Sequence, residues 1–278
     1  MLRGFFRLLS VKPQQPTGPD GRMPLGDHLR EFRGRLVRSV LVLVVVFIVS
    51  LFFYDQLLKL VMNPYNDARE ALGESVETKP YVSGATGPLM LQLKLCGVAS
   101  LIVSSPFWLY QLWAFLVPGL RKQEKKWTRI FAAVAGPLFF AGVFTCYYVL
   151  PKGLEVLISL TPDSMENLVE FGEYFSFLSR MLLVFGVSFE IPLFVIMLSL
   201  AGVVSGATLG RIRPWLIVGT FVFAAVATPS TDPISMLFLA IPMTLLFVVA
   251  EVVARLIDKL RAKRSLATRW ADDELSPI

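Results

Sequence analysis

The chain has 278 residues, 55% of them hydrophobic and only 17% charged, with a mean hydropathy of +0.63. Soluble domains carry about 25% charged residues, so this apolar excess cannot be buried in one soluble core and needs lipid as solvent. The net charge of +6 comes from basic residues that flank apolar segments without forming a continuous basic face, which sets nucleic acid aside.

Residues 1–23 lack the apolar run of a cleavable signal and are rich in Pro, Gly and polar residues, which predicts a flexible cytoplasmic arm. From Met23 to Leu36 the apolar residues Leu25, Leu29, Phe32 and Leu36 recur at helical spacing, which predicts an amphipathic helix on the inner membrane surface. Glu31 precedes Arg35 by four residues, the favourable order for an ion pair on a helix. Two readings stay open here: a solvated interfacial helix with a weak surface pair, or a recognition site.

A helix crossing about 30 Å of hydrocarbon needs about 20 apolar residues. Four full-length runs are predicted as spans, Leu36 to Leu58, Leu95 to Val117, Ile130 to Leu150 and Tyr174 to Ala201. Two shorter ones follow, Pro214 to Thr228 and Ile234 to Ala250, separated by the turn-forming Pro229-Ser230-Thr231-Asp232-Pro233. Their lengths are marginal for an ordinary bilayer and imply local thinning. The expectation is an all-α polytopic protein: an arm over 1–23, a six-span membrane domain over 24–252, and a cytoplasmic tail over 253–278.

Charge sets the orientation. The two termini and the even-numbered loops hold 21 Lys/Arg, whereas the odd-numbered loops hold four, Lys59, Arg69, Lys79 and Lys152. Both termini are therefore expected in the cytoplasm, in the inner membrane of the cell.

Between the second and third spans, Trp113 and Phe115 suit a membrane interface, and Pro118-Gly119 ends the helix. Glu124 is a lone acid among Arg121, Lys122, Lys125 and Lys126, which either dilutes a basic loop or receives a cation. In the fourth span, a carboxyl at Glu190 near the bilayer centre costs about 2.5–3.5 kcal/mol and must face protein or water. Pro192 lies two residues on and frees a carbonyl beside it, so Glu190 is either a functional group or a hydrogen-bond anchor.

Chemistry-bearing motifs are otherwise missing. Cys96 and Cys146 fall inside apolar stretches and read as small buried hydrophobes, and His28 is the sole histidine. There is no phosphate loop, metal-ligand set or nucleophile elbow, so no enzyme, cofactor or metal is expected.

Taken in order, the motifs resemble the TatC family, the signal-peptide receptors of twin-arginine protein export, from about Met23 to Arg255. His28 to Leu36 is similar to its HLxELRxRL block, Tyr110 to Glu124 to YQxWxFxxPGLxxxE, and Ser188 to Pro192 to SFExP. Thr228-Pro229 to Asp232 and Ala240-Ile241-Pro242-Met243 are similar to its last hairpin.

The resemblance implies a concave six-helix bundle that binds Arg-Arg signal peptides of folded proteins at the cytoplasmic side. It also implies an oligomeric complex in the lipid membrane with TatA-like and TatB-like single-span partners, driven by the proton motive force. By the same resemblance, Glu31, Arg33, Arg35, Phe115 and Glu124 form the signal site. Glu190, Pro64, Thr228, Asp232, Met236 and Glu251 map to the concave face and partner contacts. Met236 stands where some relatives have Gln, and Glu251 lies three residues beyond the last-helix acid of some relatives. The residues alone also admit a proton-coupled transporter using Glu190, although the sixth span is nearly all apolar and no internal repeat is visible.

Overall fold

The structure is a computed structural model that describes residues 25–73, 78–116, 125–162, 167–200, 202–227 and 233–274. The chain divides into two compact units, Met1–Leu183 and Val184–Ile278. In the first lie α1 (Leu25–Phe52), α2 (Tyr54–Leu72), β1 (Thr78–Tyr81), α3 (Gly87–Val103), α4 (Ser105–Leu116), α5 (Lys125–Ser159) and β2 (Asn167–Glu170). Helix α6 (Phe171–Leu200) begins there and ends in the second unit, which continues with α7 (Gly206–Ala227) and α8 (Pro233–Glu274).

Five helices, α1 and α5 to α8, are long and apolar enough to cross a membrane, and α3 with α4 supplies a sixth span bent by 54°. The all-α, six-span expectation holds; the only strands among the described residues are β1 and β2, paired in parallel from Thr78↔Asn167 to Tyr81↔Glu170.

Helix α1 corrects the expectation of a separate surface helix. It runs from Leu25 to Phe52 without interruption, so the segment carrying Glu31 is the first part of the first spanning helix. Runs of β-branched residues such as Val44 to Val46 remain helical because lipid offers the backbone no other partner. Polar side chains in this helix turn back on it: Arg38 Nε donates to Gly34 O at 3.1 Å and Ser50 Oγ to Val46 O at 2.8 Å.

The first span also ends sooner than expected, and α2 follows it. Its buried residues Val61, Pro64, Tyr65 and Ala68 share one face at the i, i+3, i+4, i+7 spacing. Pro64 has no N–H, which leaves the Leu60 carbonyl without its helical donor. Tyr147 of α5 supplies one, its hydroxyl donating to Leu60 O at 3.0 Å. Next to it, the buried Tyr174 of α6 donates to Val61 O at 2.8 Å, and its ring packs 5.7 Å from that of Tyr65. Tyr65 in turn shares a 2.7 Å hydrogen bond with Thr78 of β1. Tyr174→Phe should therefore lower stability by about 0.5–1.5 kcal/mol, the net worth of a buried hydrogen bond to a carbonyl that keeps its own helical donor. Thermal unfolding in detergent measures this, and an unchanged midpoint would show that the hydroxyl contributes nothing.

The bend between α3 and α4 follows from Pro106, which cannot continue the hydrogen-bond ladder. Trp108 Nε1 donates to Leu101 O across the break at 3.0 Å. A Cβ on Gly136 of α5 would lie 3.2 Å from Pro106 Cβ, so glycine there lets the corner seat closely. The span thus begins at Gly87, earlier than the predicted Leu95. Cys96 and Cys146 are free and buried, as their apolar settings predict.

In the second unit, Gly202 at φ +77 ends α6, with Val203 N bonding Leu198 O and Gly202 N bonding Ser199 O, both at 3.0 Å. The last two spans are longer than the sequence predicts. α7 starts eight residues before Pro214, and the apolar stretch of α8 runs from Met236 to Leu260, so neither is too short to cross a membrane.

Candidate functional site

One polar cluster forms where α1 meets α4. Arg35 donates to Glu31 Oε1 through Nη2 at 2.6 Å and Nε at 3.0 Å, and to Gln111 Oε1 of α4 through Nη1 at 3.2 Å. The helical repeat puts Glu31 and Arg35 on one face of α1, and the third bond ties that face to a helix 76 residues away in sequence. The Glu31 and Arg35 side chains are only 20% and 15% exposed, and Gln111 is buried. Such a pair is held in place, unlike a mobile surface ion pair.

Aromatic contacts hold α4 on both sides. Phe115 lies one turn beyond Gln111 and packs against Phe32, with ring centroids 5.2 Å apart. Trp113, on the opposite side of α4, is buried and stacks on Phe131 of α5 at 5.6 Å, which fixes the rotation of α4. Four of the expected signal-site residues are thus described: Glu31 and Arg35 pair, Phe115 packs on Phe32 next in sequence to Glu31, and Arg33 is exposed. Glu124 lies outside the described residues. Gln111 stands in the Tyr110 to Glu124 motif without being an expected site residue; an amide in an otherwise apolar helix, one turn before Phe115, is the signal that marks it.

A second cluster joins α7 and α8. Arg213 makes a forked contact with Glu251, Nε to Oε2 and Nη2 to Oε1, both at 2.8 Å. Arg255 Nη2 reaches Glu251 Oε1 at 2.7 Å, so one buried carboxylate serves two half-exposed guanidiniums. Asp258 Oδ2 accepts from Gly206 N at 2.7 Å and satisfies an orphan donor at the start of α7. Glycine is required for this approach: a Cβ on Gly206 would come within 2.6 Å of Arg255 N, and one on Gly210 would overlap the Arg255 guanidinium.

The described residues mapped to partner contacts lie on three helices, α2, α6 and α8. Pro64 is buried in α2, and Glu190 is half-buried in α6, close to the buried Ser188, whose hydroxyl donates to Val184 O at 2.6 Å. Met236 is half-buried near the start of α8. A rise of about 1.5 Å per residue places it roughly 22 Å along the helix from Glu251. Thr228 and Asp232 lie outside the described residues.

Six apolar spans carrying fixed ion pairs define a polytopic helical membrane protein. The profile of the family described as Sec-independent protein translocase protein (TatC) matches residues 27–242. The chain is 38% identical to the Sec-independent protein translocase protein TatC of Frankia casuarinae, over 94% of this chain and 74% of that one. It is 32% identical to the protein of the same name from Escherichia coli, over 81% of this chain and 85% of that one. A crystal structure of the twin arginine translocase receptor TatC superposes with a TM-score of 0.68 at 28% identity, covering 82% of this chain and 98% of the other. The chain belongs to the TatC family of Sec-independent protein translocases.

Proposed function

We propose that this chain is the membrane receptor of twin-arginine protein export, binding the Arg-Arg signal peptides of folded proteins at its cytoplasmic face. The observation that carries the reading is the Glu31 cluster. There a carboxylate and a buried amide already hold one guanidinium, with the Phe32–Phe115 ring pair on the same two helices, and a signal peptide presents two more. Each guanidinium makes forked, charge-assisted bonds with a carboxylate, a geometry that a lysine ammonium cannot match. Glu31 and Glu124, on separate segments of the same side, would take one arginine each.

In this reading both termini are cytoplasmic, as the 21-to-4 distribution of basic residues favours. TatA-like and TatB-like single-span proteins complete an oligomeric complex in the inner membrane that moves folded clients by the proton motive force. Glu190, Pro64, Thr228, Asp232, Met236 and Glu251 remain the proposed positions for those contacts.

The test is binding of a labelled twin-arginine peptide to membrane vesicles containing the chain. Inverted vesicles should bind it, right-side-out vesicles should not, and an Arg-Arg to Lys-Lys change should remove most of the binding. Equal binding of the Lys-Lys peptide would overturn the receptor reading and favour a transporter or purely structural role.

A further inference from the structure

We propose that Arg35 is the resident occupant of the Glu31 subsite, so that signal binding there is an exchange of one guanidinium for another, with Gln111 holding the resident one. The inference rests on the receptor reading above and concerns how tightly and how reversibly that site works.

Both bonds from Arg35 to Glu31 fall on the same oxygen, Oε1, at 2.6 and 3.0 Å. The third, to Gln111 Oε1, anchors the guanidinium to α4. A guest arginine gains its full forked grip only if it uses both carboxylate oxygens. With Oε1 already accepting two donors, at least one Arg35 bond must be given up first. The carbonyl oxygen of Gln111, buried and belonging to another helix, still holds Nη1 while Nε and Nη2 are released.

Exchange also limits affinity. The empty site is a neutral pair, and the guest adds a positive charge beside the displaced Arg35. Binding strength is therefore the difference between two similar guanidinium contacts, not the strength of one. A receptor that must later pass its client on needs a site of this kind, because most affinity tuning resides in the dissociation rate.

The experiment uses the purified full-length chain in lipid nanodiscs and a fluorescent peptide bearing the Arg-Arg pair, with affinity and dissociation rate measured. Arg35→Gln removes the competitor and should bind the peptide roughly three- to tenfold more tightly, chiefly through slower release. Gln111→Leu loosens Arg35 and should give a smaller gain in the same direction. Arg35→Lys keeps a cation, loses the fork, and covers the case in which Arg35→Gln inserts poorly; it should fall between native and Arg35→Gln. In a Glu31→Gln background, changing Arg35 should make no difference. If Glu31→Gln weakens binding while neither Arg35 variant tightens it, the exchange is wrong and the receptor site stands. If Glu31→Gln binds like the native chain, the assignment of Glu31 fails and the exchange with it.

Discussion

A chain carrying both Glu31→Gln and Glu124→Gln should bind a twin-arginine peptide well over tenfold more weakly than the native chain. Each substitution keeps the shape of the side chain and removes its charge. Loss of a charge-assisted hydrogen-bonded pair costs about 1.5–3 kcal/mol, and 1.4 kcal/mol is tenfold in affinity; Glu124 carries that full loss, and Glu31 adds a smaller one because Arg35 already occupies it. Glu124→Gln alone should lose about tenfold or more, and Glu31→Gln alone less. Peptide titration or crosslinking reads the effect, and native binding by the double variant would remove both acids from the site.

The second large effect should come from Glu251. Its carboxylate is buried against α7 and receives three bonds from Arg213 and Arg255. Glu251→Ala leaves both guanidiniums without a counterion. The cost of breaking a buried pair, about 3–5 kcal/mol, is reduced because both arginines are half in solvent, so about 2–3 kcal/mol is expected. Replacing two of the charges together, as Arg213→Leu with Glu251→Leu, should be milder than Glu251→Ala, because only Arg255, half in solvent, then lacks its counterion. Unfolding midpoints in detergent decide the order, and equal stability of Glu251→Ala and the native chain would make the cluster incidental.

These clusters also show where reading the residues alone reached its limit. The six spans follow from apolar run length, which depends only on composition along the chain, and the Glu31–Arg35 pair follows from helical spacing. What the sequence could not supply was the partner on another element. Gln111 acquires its meaning only once α4 lies beside α1. Arg213 and Glu251 read as polar ends that shorten the last two spans; because they pair with each other, the helices continue through them. The same holds for Pro64, which reads as a loop residue until Tyr147 is seen to serve the carbonyl it leaves open. The α2 periodicity of Val61, Pro64, Tyr65 and Ala68 was present in the sequence, but the acidic and amide residues around it masked the signal.

The pairing of α7 with α8 bears on how the protein enters its membrane during synthesis. Arg213 emerges from the ribosome 38 residues ahead of the glutamate that neutralises it, and the backbone N–H of Gly206 waits 52 residues for Asp258. Until then α7 carries an uncompensated cation and an unmet donor, and it has no Arg255 backbone to pack against. The two segments are therefore suited to partition into lipid together as a helical hairpin, and the short connection between them, residues 228–232, lets the later helix reach the earlier one as soon as it is made.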